Sequence, residues 1–351
     1  MIEVRPLTAS DHADYERLLR EQDATLIYPS LEYRDFLSRV VPGESHYLLA
    51  FDGVRIEGVL PYFRMAVAGE GAVINSLPWY GSHGGCTLAD PLRLDVREAL
   101  LRRYVQEVSA PGVLSATMIL TPNEEPWQAQ YREILQPCAQ DRRIGQVSTL
   151  PDDGPDVSGR LERMFTPKTR NVVRKALKQG VTPVVTEDEW AWRFLCETHQ
   201  ENLRALNGRA KPWEHFLAMR HAFPEPMRRL WVAVLDREPV AALLLLYFHR
   251  TVEYWVPAIR QEARPRQPLS CLIVHAMEDA VRRGYRWWNW GGTWATQSSL
   301  HHFKAGWGAV DRPYAYLVNS TPDGMVFLRR HQATVAGWFP YYYTHPYEAT
   351  R

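Results

Sequence analysis

Lysine is what this chain has least of for its charge. Only five of its 41 basic residues are lysines, namely Lys168, Lys175, Lys178, Lys211 and Lys304. A chain that writes its positive charge as arginine keeps a compact, flexible ammonium at few places, and each is a candidate for a specific task. Cysteine is also scarce. Cys86, Cys138, Cys196 and Cys271 lie far apart with no CxxC pair, which argues against a disulfide frame or a zinc site and for reduced thiols. The longest apolar run, Pro239 to Phe248, is well short of the ~20 residues a bilayer span needs, so no transmembrane segment is expected. The first residues, Met1 to Pro6, carry no signal-peptide core. Together these absences predict a cytoplasmic protein. A net charge of +1 argues against a chain that coats nucleic acid along its whole surface and leaves room for a local basic face. No GxSxG, phosphate-loop or dinucleotide spacing occurs, and the His301-His302 dipeptide lacks metal-ligand spacing.

What is present is a repeat. Leu48 to Asp52, a turn at Gly53, and Gly58 to Phe63 read as a strand, a turn and a second strand ending in Tyr-Phe. Trp231 to Asp236, then Ala241 to Phe248, repeats that pattern, with 184 residues from Asp52 to Asp236. Val96, Leu100, Leu101, Tyr104 and Val108 mark an amphipathic helix after the first copy. Leu269, Leu272, Ile273, Ala276, Met277 and Ala280 mark one after the second. Each leads into a strand-like run, Val113 to Leu120 and Tyr285 to Trp290, and Gly284 stands where the second helix should end. The pattern predicts an α+β fold duplicated in tandem. Residues 1–150 form the first domain, 151–320 the second, and 321–351 a C-terminal helix and tail. The helix is expected over Asp323 to Trp338, and Pro151 to Asp156 is an acidic linker.

Three constellations could carry chemistry. Lys168, Arg170, Arg174, Lys175 and Lys178 crowd one predicted helix, with Arg170, Arg174 and Lys178 at i, i+4 and i+8. That stripe suits phosphates of RNA or a nucleotide, and it equally suits a solvated face of a helix packed through Val172, Val173 and Leu177. The loop Leu77 to Gly85 sets Trp79, Tyr80 and His83 among glycines, as a substrate-binding loop or a tight packed turn. Lys304, with Phe303, follows the aromatic strand that ends in Trp290-Gly291-Gly292-Thr293. A single positive charge there could meet a developing oxyanion. Tyr254 and Trp255 end the strand after the second hairpin, facing pocket or core.

Taken together, the KTRNVVRKALKQG helix, the Glu253-Tyr254-Trp255 strand, the QPLSCLIVHAMEDAVRRGY helix, and WNWGGT followed by SLHHFKAGWG resemble the Fem family of peptidyltransferases and the related BioF-like acetyltransferases of the GNAT superfamily. The resemblance is strongest over residues 160–315. It implies two tandem GNAT-like domains, each a mixed sheet flanked by helices, with the acceptor side first and the donor side second. It implies transfer of an aminoacyl group from aminoacyl-tRNA to the amine of a peptidoglycan-precursor-like or peptide-natural-product acceptor, a small peptide or nucleotide-linked amine. No bound cofactor is required. Phe303-Lys304 matches the family's FK pair, which makes Lys304 the catalytic residue; Phe303, Tyr254, Trp255, Trp79, Tyr80 and His83 are the candidate substrate-binding set, and no acceptor-binding residue of the family is matched in the first domain. The 168–178 helix takes the place of the tRNA-binding face. By the same resemblance the C-terminal helix returns to the first domain. The chain departs from the family in having His301-His302 before the FK pair and no helical arm. Ala263 to Pro268 stands where an acyl-CoA enzyme has a glycine-rich pyrophosphate loop. An acyl-CoA-dependent N-acetyltransferase and a non-catalytic GNAT-like binding module are the alternatives.

Overall fold

The computed structural model describes residues 2–79 and 81–345 of the chain. It divides into two compact units. One takes the chain up to Ile144 and again from Arg312, and the other takes Gly145–Asp311.

The first unit begins with β1 (Ile2–Pro6), α1 (His12–Glu21), α2 (Leu31–Val40), β2 (Glu44–Asp52), β3 (Arg55–Val67), β4 (Gly71–Asn75), the short β5 (Thr87–Leu88), α3 (Leu94–Val108), β6 (Val113–Ile119), α4 (Gln128–Leu135) and β7 (Ala139–Thr149). The second unit contributes α5 (Val157–Met164), α6 (Pro167–Leu177), β8 (Thr182–Val185), α7 (Glu189–Ala205), α8 (Trp213–Ala222), β9 (Arg228–Leu235), β10 (Glu238–Phe248), β11 (Thr251–Ile259), α9 (Pro268–Arg282), β12 (Trp287–Thr293) and α10 (Ser298–Ala305). The chain then runs through β13 (Ala309–Asn319) into α11 (Pro322–Arg330) and α12 (Gln332–Trp338) of the first unit. The divisions between units fall inside β7 and β13.

The duplication is explicit in the strand order. In the first unit β1, β2, β3 and β4 are successively antiparallel, and β4 pairs β6 in parallel. In the second unit β8, β9, β10 and β11 are successively antiparallel, and β11 pairs β12 in parallel. The parallel step needs a crossover, and α3 and α9 supply it. The hairpin turns follow from sequence. Asp236 and Arg237 both take positive φ, 52° and 68°, as a two-residue turn between β9 and β10 requires, and Gly53 takes φ 61° in the first copy.

Each unit has its own core. Val96, Leu100, Leu101 and Tyr104 of α3 pack on Leu48, Leu60 and Ile74 of its sheet. Leu272, Ile273, Ala276, Met277 and Ala280 of α9 pack on Ala233, Leu243 and Leu245. Pro268 opens α9, and Gly284 follows its end at φ 82°. The C-terminal helix expected over 323–338 is two helices. His331, at φ −104° and ψ 19°, closes α11, and its carbonyl accepts from Thr334 and Val335 to start α12. Gly324 lets α11 approach β6 of the first unit, because a Cβ there would stand 2.3 Å from the Leu114 carbonyl oxygen.

Candidate active site

The strand β12 ends in Gly291, Gly292 and Thr293, and α10 returns beside it. Lys304, in the last turn of α10, is 4% exposed. Its ammonium donates to Gly291 O at 3.1 Å, Gly292 O at 3.0 Å and Thr293 Oγ1 at 2.8 Å. An ammonium has three donors, and all three are placed. No carboxylate is among these partners, so burial alone pushes the ammonium down to about 8. Thr293 in turn donates to Gln146 Oε1 at 3.2 Å, and Gln146 Nε2 donates to His301 O at 3.1 Å. In the ground state Lys304 therefore clamps the end of β12 to α10.

Aromatic residues wall this segment. Trp290 donates its indole N–H to Ser148 Oγ at 2.9 Å and lies edge-on to Phe303 at 5.9 Å. Tyr254 packs on Trp290 at 4.9 Å and is half-buried, and desolvation holds its hydroxyl far above the usual tyrosine range. Phe303 is 37% exposed at the surface of the cluster. Trp255 falls opposite the register break in the β10–β11 ladder, where Leu244 pairs Val256 and Leu245 pairs Tyr254. The parallel pairing of β11 with β12 covers Thr251/Trp287, Val252/Trp288 and Glu253/Asn289 and stops there. Beyond that pair no backbone hydrogen bond joins the two strands among the described residues.

The basic helix α6 adjoins α10. Thr166 caps α6, and its own N–H donates to Gly306 O at 2.9 Å, two residues past Lys304. Gly306 is required there, because a Cβ would meet Thr169 Oγ1 at 2.4 Å. The five basic side chains do not act alike. Arg170 donates to Phe165 O at 3.0 Å and so ties α5 to α6, and Arg174 pairs with Glu162 at 2.7 Å. Lys168, Lys175 and Lys178 are exposed, and no ion pair or side-chain hydrogen bond engages them among the described residues. Near the start of α9, Arg264 and Arg266 are exposed. Pro268 has no N–H, and the N–H groups of Ser270 and Cys271 both turn back to Gln267 O. That leaves little of the N–H cradle that a helix start offers a pyrophosphate.

The loop of the first unit is arranged differently. Trp79, at φ 87°, is buried against Phe36 at 5.3 Å and Tyr341 at 5.1 Å. Tyr80 lies outside the described residues. His83 is 1% exposed, sits between the rings of Tyr28 and Tyr314, and holds Leu120 O through Nδ1 at 3.0 Å. Burial pushes His83 down to about 4, so it is neutral, with the proton on Nδ1. Both side chains shape the loop from within the unit.

Sequence reading finds Lys304, Phe303 and Tyr254 and misses Thr293, Gln146, Asn289 and Ser148. Gln146 lies 158 residues before Lys304 and carries no local signal. Among the described residues no group of three or more metal-binding side chains occurs, and no helix is long and apolar enough to cross a membrane.

Residues 167–305 match the sequence model of the acetyltransferase (GNAT) domain. Among functionally curated proteins none matches the chain. Among solved structures it is similar to FemX, at 12% identity over 94% of this chain and 99% of that one, with a TM-score of 0.72. It is also similar to the C-terminal domain of a putative lysylphosphatidylglycerol synthetase from Agrobacterium fabrum, at 14% identity over 96% and 99%, with a TM-score of 0.55. A tandem GNAT protein from the clavulanic acid biosynthesis pathway aligns at 14% identity over 91% and 98%, with a TM-score of 0.54. At such identities the likeness is one of fold. The chain has the Fem-like tandem GNAT fold.

Proposed function

We propose that this protein is an N-acyltransferase that moves an aminoacyl group from aminoacyl-tRNA to the amine of a peptide-like acceptor, with the donor held by the second unit. One observation carries the choice of donor. Three exposed lysines on and at the end of α6, free of acidic partners among the described residues, stand on the helix whose cap is bonded to the Lys304 segment. At the start of α9, where a CoA pyrophosphate would have to sit, Pro268 has no N–H and Ser270 turns its N–H back to Gln267 O. Phosphates of an RNA end fit the first arrangement, and a pyrophosphate finds little in the second.

Amide formation from an ester needs a positioned neutral amine and a stabilised tetrahedral oxyanion. Lys304 is the residue for the second task. It is poised by burial and exchanges one of its three bonds for the oxyanion or the departing ribose oxygen. Phe303, Tyr254 and Trp255 would line the acyl group. Lys168, Lys175 and Lys178 would take phosphates, while Arg170 and Arg174 hold α5 and α6 together.

The test is a donor comparison. Purified protein is titrated with aminoacyl-tRNAs and with acyl-CoAs, and each is then offered with small peptide and nucleotide-linked amines. Saturable tRNA binding that weakens with salt and yields an amide product is the expected result. Tight acyl-CoA binding with no effect of tRNA would establish an acyl-CoA-dependent N-acetyltransferase. Binding of neither would leave a GNAT-like binding module.

A further inference from the structure

The turn that receives Lys304 is itself held from one side by a buried polar link. Asn289 and Glu253 face one another across β12 and β11, at the last register pair before the strands part. They are 1% and 2% exposed. Asn289 Nδ2 donates to Glu253 Oε2 at 2.7 Å, a hydrogen bond in a dry place. The other end of the same amide, Asn289 Oδ1, accepts from the Gly291 N–H at 3.0 Å. Gly291 takes φ 73°, a left-handed backbone that needs a reason to persist. The carbonyls of Gly291 and Gly292 then face the Lys304 ammonium.

We infer that Glu253 is a positioning residue for Lys304, acting through Asn289 and the Gly291–Gly292 turn. Its carboxylate fixes which way the Asn289 amide faces. Only one orientation offers an oxygen to the Gly291 N–H. With that bond in place the two glycine carbonyls are aimed together, and the ammonium can bind both. Without a fixed acceptor behind it, the amide is free to turn, the Gly291 N–H is orphaned in the interior, and the turn relaxes. The inference deepens the reading of Lys304 as the working cation. It makes a carboxylate that need not touch substrate set where that cation stands.

The scarcity of lysine makes the test direct. Protein grown with lysine labelled at Cε and Nζ gives five side-chain signals, and Lys304→Arg assigns one of them. Its titration midpoint is expected near 8 in the intact chain. Glu253→Gln keeps an oxygen facing the Asn289 amide and should leave the midpoint where it is. Glu253→Ala removes that oxygen, lets water reach the ammonium, and should raise the midpoint by about one unit towards the ordinary lysine range. Leu161→Ala, a core truncation in the same unit, should lower stability and leave the midpoint unmoved. If Glu253→Ala does not fold, Asn289→Ser serves in its place. Serine is too short to reach both Glu253 and the Gly291 N–H, and the same upward shift is expected. An unmoved midpoint in the link-breaking variant, or an equal shift in Leu161→Ala, overturns the inference. The readout uses no substrate, so a shift seen together with full turnover of Lys304→Ala would keep the positioning and remove the catalytic role.

Discussion

The two parallel strand pairs, β4/β6 in the first unit and β11/β12 in the second, are copies with opposite fates. Both begin paired and both have a crossover helix between their strands. In the first, the chain fills the gap where the strands would part. Ser76 N–H donates to Thr117 O at 2.9 Å, Ser76 Oγ accepts from Ile119 N at 2.8 Å, and Gly84 N–H donates to Ile119 O at 2.7 Å. His83 takes Leu120 O. In the second, pairing stops at Glu253/Asn289 and the following loop leaves toward α9. A sheet edge satisfied by its own loop has no main-chain groups to offer an extended ligand. A parted edge is not closed by its own loop in this way, although Gly291 and Gly292 are engaged by Asn289 and Lys304. On the reading proposed above, the acyl donor goes to the second unit.

The strongest way to break this comparison is to remove the cation. Lys304→Ala should lower single-turnover rate by ~10²–10³-fold, the usual effect of losing one oxyanion contact. Lys304→Arg should recover only part, since a fork does not stand where a point charge stands. The same alanine orphans acceptors at Gly291, Gly292 and Thr293, so the urea midpoint should fall as well. Unchanged turnover would make Lys304 a structural clamp and nothing more.

Next in size is acid sensitivity in the closed copy. His83 has its folded value near 4, below the ~6.5 of an unfolded chain. The unfolded state therefore binds more protons between these values. Stability from this group is complete above about pH 6.5 and is lost as pH falls toward 4. The loss should approach about 3 kcal/mol, and His83→Gln should flatten that part of the pH profile in urea titrations. His199 and His215, both pushed down by burial, give the second unit a slope of the same sign.

A smaller effect separates the two gaps directly. Gly84→Ala sets a Cβ 2.3 Å from Ser76 Oγ and should destabilise by about 1–3 kcal/mol. Donor affinity should stay as it is. A loss of donor binding in Gly84→Ala, measured by titration, would show that the first gap also takes part.

The smallest expected effect is on the basic helix. Replacing Lys168, Lys175 and Lys178 with alanine should cut the salt dependence of tRNA binding by a slope of about 2–3 and leave melting unchanged. Replacing Arg170 should act through stability instead, because its guanidinium holds the Phe165 carbonyl.

Much of the fold was legible because both copies obey local rules. The hairpins have turn residues, α9 has regular apolar spacing, and Gly284 marks its end. The tail was read as a single helix, because the break at His331 involves neither proline nor glycine. At the site, Lys304 stood out through scarcity and its place after two glycines. Its partners did not, because Thr293 and Gln146 meet only when β7 and β12 lie together. The split role of the α6 stripe was equally hidden. Glu162 stands 12 residues before Arg174, beyond any helical i, i+4 window. The loop that closes the first gap reads as a tight aromatic turn, and its task depends on carbonyls some 40 residues away.

The first unit takes its β13 segment from the far end of the chain, with Tyr316 to Asn319 pairing Ile119 to Ala116. On the ribosome this reverses the order of completion. The second unit, whole by Asp311, can close first. The β6 edge meanwhile waits bare for about 200 residues of synthesis, roughly 10–40 s at ~5–20 residues per second. During that time β6 is paired on its β4 side alone, beside a hydrophobic core, and its open edge is the sort that invites a neighbouring chain. A nascent chain of this protein is most exposed to misassembly in the part that was made first.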